Sequence, residues 1–85
     1  MSNFENTPTS VVYDVFAETA GLLTARYTSL SDAATSEPER ERWWAKVMEL
    51  RDTKRAVPAH DREQLIVHIT RWAADLKALE SADRD

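Results

Sequence analysis

Residues 40–55, RERWWAKVMELRDTKR, carry two of the chain's three tryptophans side by side and six of its eleven Lys and Arg residues. The stretch lies between two longer helical patterns, so a compact fold is expected to pack it against both. Ser36-Glu37-Pro38-Glu39, just upstream, reads as a capping box. Ser36 is placed to accept from the backbone N–H of Glu39, and the Glu39 carboxylate to reach back to the N–H of Ser36. Proline in the first turn and Glu37, Glu39 and Glu41 at the positive end of the helix dipole support a start there. Arg51, Lys54 and Arg55 complement the negative end, and Pro58 stops the helix.

Upstream, Val12, Phe16, Ala20, Leu23, Tyr27 and Leu30 recur every three or four residues, the pattern of one buried helical face. Val11, Val15 and Leu22 extend that face to an apolar arc of roughly 200°, wider than a surface helix needs. Asp14, Glu18, Thr24 and Thr28 mark the wet side, with Gly21 among them. Thr7-Pro8 or Thr9 is the expected helix start, through a hydroxyl cap. Residues 1–8 read as a loose tail, in which Phe4 is the one residue able to pin the chain down.

Downstream, Asp61 with Gln64 resembles a second cap. Leu65, Ile69, Trp72, Leu76 and Leu79 then follow at spacings of 4, 3, 4 and 3, a bundle seam widened by Ile66 and Ala73. The polar end, residues 80–85, is expected to fray, with 81–85 as a flexible tail. Three helices over about 9–33, 37–55 and 61–80, joined by short loops, predict an all-α, single-domain three-helix bundle running up-down-up.

Composition narrows the functions. Eighty-five residues make one domain, which buries only about 60–65% of its unfolded surface and gains from association. The absence of cysteine excludes disulfides and thiol chemistry. No stretch has the roughly 18 apolar residues of a membrane helix, and MSNFENTPTS lacks the pattern of a signal peptide, so a cytoplasmic location is expected. Eight Arg against three Lys, with twelve Ala, points to a GC-rich bacterial or phage gene. The net charge of −4 disfavours general nucleic-acid binding. Residues 36–58 are the exception to the acidity, with six bases against five acids.

Adjacent helical residues point about 100° apart, so Trp43 and Trp44 cannot share a narrow face. Trp43 groups with Val47 and Leu50, and Trp44 with Met48. Arg40, Trp44, Met48 and Arg51 form the candidate contact patch, with Val15 and Leu22 as its possible extension, because Trp, Met and Arg are enriched at interfaces. The alternative assignment is that a central helix needs this breadth of apolar surface for its own two neighbours. Val67, Ala74 and Ala78, on the back of the third helix, form a second, small-residue face. The expected activity is non-enzymatic, through a protein partner or a homodimer.

Other classes have less behind them. His60 and His68 stand eight apart, without the i, i+3 or i+4 spacing of a helical zinc site, so no metal or other cofactor is expected. His68 reads as a residue at the edge of the seam. A nucleic-acid reading would use Arg51, Lys54, Arg55 and Arg62, but the recognition helix would open on Asp61 and Glu63, which repel phosphate. Leu22-Leu23-Thr24-Ala25-Arg26, Lys54, and Pro58-Ala59-His60-Asp61-Arg62-Glu63 resemble stretches of the all-helical chorismate mutase family. That resemblance implies a helical active site involving Arg26, Lys54, Arg62 and Glu63. Here the lysine stands too close to the Arg-Glu pair, and the chain stops before the family's last helix.

Overall fold

The computed structural model describes residues 4–84 and is an up-down-up three-helix bundle, with α1 over Thr9–Ala33, α2 over Glu37–Ala56 and α3 over Arg62–Arg84. Parts of both expected tails, residues 1–3 and 85, lie outside the described residues. The third helix runs one turn past its expected end near residue 80. Glu80 to Arg84 contain no glycine or proline to stop it, and Ala82 and Arg84 are good helix formers.

Local signals set most boundaries. Ser36 Oγ accepts from the Glu39 N–H at 3.3 Å. The return bond from the Glu39 carboxylate is not formed among the described residues. Asp61 caps α3, accepting from the Gln64 N–H at 3.3 Å. The start of α1 departs from expectation. Its cap position is Pro8, which offers no side-chain acceptor, and Thr9 is already helical. Proline's fixed φ holds the entry, while its carbonyl accepts from Val11 and Val12.

The core joins Val12, Phe16, Ala20, Leu23 and Tyr27 of α1 to Val47 and Leu50 of α2 and Leu65, Ile69 and Trp72 of α3. Phe16 lies against Trp72 with ring centroids 5.0 Å apart. Tyr27 stacks on Trp43 at 5.8 Å with planes at 22°. Arg62 at the start of α3 bonds Thr9 at the start of α1, and Ser31 near the end of α1 bonds Arg40 near the start of α2, so α1 runs parallel to α3 and antiparallel to α2.

The central helix is α1, which corrects the expectation that α2 would contact both neighbours. Among the described residues, α1 packs on α2 and on α3, whereas no Cα of α2 comes within 8 Å of one in α3. The Cα trace is accordingly flat, 45 × 28 × 14 Å. The physical reason is apolar supply. Five large or small apolar residues of α1 are buried, but only Val47 and Leu50 of α2 are. A helix so rich in charge can cover one neighbour and no more, so α2 is an edge helix.

Candidate functional site

Placing α2 at the edge decides the fate of its two tryptophans. Trp43 turns inward beside Tyr27, and the Arg42 guanidinium lies over its ring at 5.6 Å. Trp44 points outward and is 51% exposed, with Met48 partly buried one turn on. Arg51, seven residues after Trp44, returns to within about 20° of the same direction. It is exposed, and its guanidinium donates to the neighbouring Asp52 carboxylate at 3.3 Å. Trp44, Met48 and Arg51 therefore share one solvent-facing strip on the free side of α2.

Beside that strip, α1 and α2 enclose a groove of about 330 Å³ lined by Ala20, Gly21, Thr24, Val47, Leu50, Arg51 and Lys54. The α1 wall is low because its side chains are small. A Cβ added to Gly21 would meet nothing within 4 Å.

The other expected members of the patch have different surroundings. Arg40 is turned toward the corner between α1 and α2, where it donates to the Ala34 carbonyl at 3.4 Å and pairs with Glu37. With Ser31 Oγ donating to the Arg40 carbonyl at 3.3 Å, Arg40 ties that corner while standing one turn before Trp44 on α2. Val15 and Leu22 do not extend the strip. They are rotated by about 180° and 160° from Thr24, which faces the α2 groove, so they occupy the opposite edge of α1. Val15 is partly buried there and Leu22 is 56% exposed. On α3, Val67 is exposed, as are Ala74 and Ala78.

A second concavity separates α2 from α3. This cleft, about 300 Å³, is floored by Leu23, Tyr27, Leu50 and Trp72 and walled by Lys46, Glu49, Thr53, His68, Arg71 and Asp75. Burial, followed by the carboxylates of Asp75 and Glu49, pushes the Tyr27 phenol above its ordinary value. His68 stacks on Trp72 at 5.3 Å and meets the edge of Phe16 at 6.3 Å, in keeping with its reading as an edge-of-seam residue. The sequence carried a partial signal for this cleft, since His68 and Asp75 stand seven apart on one face. That α2 and α3 stand apart was not legible.

Arg62 was also missed as a structural residue. Its guanidinium donates to the carbonyls of Phe4 and Thr7 and to Thr9 Oγ1. The signal was a base in the first turn of a helix, where the dipole disfavours one. This engagement separates Arg62 from Arg51 and Lys54 of the nucleic-acid reading. It also separates the residues that resemble chorismate mutase. Lys54 lines the α1–α2 groove, Arg26 is rotated about 160° from Thr24 of that groove, and Glu63 is exposed on α3.

Among the described residues no three His, Cys, Asp or Glu side chains are grouped to hold a metal ion, and no helix is long and apolar enough to cross a membrane. Comparison of the chain with protein-family models, curated proteins and solved structures gave no match.

Proposed function

We propose that this chain is a small non-enzymatic helical protein of the cytoplasm that works through protein–protein contacts, as an adaptor, inhibitor or regulatory subunit. The observation that carries the reading is a half-exposed Trp44, beside Met48 and Arg51, on a helix that among the described residues packs against α1 and not α3. A half-exposed tryptophan that lies outside the core presents a large rigid surface for burial by a partner. Met48 adds an adaptable apolar contact, and Arg51 supplies a planar donor for a carboxylate at the rim. The low wall at Gly21 and Thr24 leaves space for the partner beside the strip.

The test replaces Trp44 with a photo-crosslinking amino acid in the living cell, with the same replacement at exposed Ala78 as control. Discrete protein adducts from position 44 and none from position 78 are expected. An absence of adducts at 44, or the same adducts from both positions, would overturn the reading.

A further inference from the structure

The exposed side of α2 has an order that its individual residues do not reveal. Glu37, Glu41, Trp44, Met48, Arg51 and Arg55 recur at spacings of 4, 3, 4, 3 and 4, which makes them one continuous seam along the helix. All six are exposed except Met48, which is partly buried. The seam runs acid, acid, Trp, Met, base, base, and it is symmetric in position about residue 46. Glu37 and Arg55 are equidistant from that point, as are Glu41 and Arg51, and Trp44 and Met48.

We infer that this seam pairs with the same seam of a second copy, α2 against α2 in antiparallel orientation, about a two-fold axis level with residue 46. The inference rests on the reading of the Trp44 face as a docking surface and names its occupant. In this register Trp44 of one copy lies on Met48 of the other at the centre, twice over. Glu41 faces Arg51 of the other copy, and Glu37 faces Arg55, at both ends. An antiparallel two-stranded seam pairs its alternating positions in this crossed manner. A two-fold contact also requires one surface to be complementary to itself.

The charges select both partner and direction. A parallel pair would set Glu37 on Glu37 and Arg55 on Arg55, placing like charges together at each end. The antiparallel pair matches every charge on the seam with its opposite. The existing pairs of Glu37 with Arg40 and of Arg51 with Asp52 are local and well exposed, so neither fixes these side chains against a new partner. The edge position of α2 leaves the seam clear of α3.

The test is a charge swap read by sedimentation equilibrium across a wide concentration series. Wild type is expected to dimerise. Glu41→Arg and Arg51→Glu, each tested alone, create two like-charge contacts per dimer and weaken association by about tenfold. The double variant restores affinity to within about threefold of wild type. Far-UV circular dichroism checks that each variant is folded. Because the chain has no cysteine, Glu37→Cys and Arg55→Cys proteins can be mixed and oxidised as an independent check. Disulfides between position 37 of one copy and 55 of the other are expected, in preference to 37–37 or 55–55.

A double variant no tighter than the single ones, or a preference for 37–37 linkage, would overturn the antiparallel register. A wild type that is monomeric throughout would overturn the dimer. In that last case adducts from position 44 to a protein of different mass would still support the docking reading, and an absence of adducts would end both.

Discussion

Arg62 Nη1 donates to the carbonyl oxygen of Thr7 at 2.6 Å, across 55 residues of sequence. The same guanidinium reaches the Phe4 carbonyl and Thr9 Oγ1, so one side chain ties the entry segment to the start of α3. Phe4 packs against the core from this segment. Arg62→Ala is expected to lower stability by about 1.5–3 kcal/mol, the range for lost hydrogen bonds to a charged donor. It should also make the peptide bonds around residues 4–8 faster to cleave in limited proteolysis. Arg62→Lys, which keeps the charge and loses the planar fork, should rescue only part of the effect. Equal cleavage rates in wild type and Arg62→Ala would show that the contact does not hold the segment.

The two adjacent tryptophans should behave oppositely in urea denaturation. Trp43→Ala removes the ring stacked on Tyr27 and opens the α1–α2 interface, with an expected cost of about 2–4 kcal/mol. Trp44→Ala removes a ring that packs mainly against water, so its cost should stay within about 0.5 kcal/mol in the dilute protein. A Trp44→Ala cost as large as that of Trp43→Ala would place Trp44 in the core.

Most of the fold was legible because it follows from periodicity and caps. Val12, Phe16, Ala20, Leu23 and Tyr27 are buried as their spacing predicts, and so are Leu65, Ile69 and Trp72. The separation of Trp43 from Trp44 follows from 100° of helical rotation alone. Periodicity describes each helix about its own axis, however, and says little about which helix stands between the others. The wide apolar arc of α1 was the available signal for that, outweighed in the sequence by the paired tryptophans of α2. Val15 and Leu22 fell outside the strip for the same reason. Their directions are set by where α2 sits on α1, which is a tertiary fact.

Tyr27 makes stability depend on alkaline pH. It is buried in the floor of the cleft, and burial with Asp75 and Glu49 nearby raises its folded-state pKa above the ordinary value near 10. The folded chain therefore holds this proton at pH values where the unfolded chain releases it. The contribution is fully present below about pH 10 and is lost as pH rises through the folded pKa. Urea midpoints measured from about pH 9 upward should fall more steeply for wild type than for Tyr27→Phe. Parallel curves for the two proteins would mean that the phenol ionises as freely in the fold as out of it.

Gly21 provides the sharpest test of the α1–α2 groove, because the monomer gives no steric reason for a glycine there. It is helical, exposed, and has nothing within 4 Å of the position a Cβ would take. Glycine in a helix interior is less favourable than alanine by about 0.8–1 kcal/mol, largely through the greater freedom of the unfolded chain. Gly21→Ala is thus expected to raise the stability of the isolated chain by about 0.5–1 kcal/mol, seen as a higher urea midpoint with an unchanged slope. A destabilised Gly21→Ala protein would mean that the groove closes more tightly over α1 than its open geometry indicates. A stabilised one would establish that the low wall beside the Trp44 strip is space the folded chain itself leaves unused.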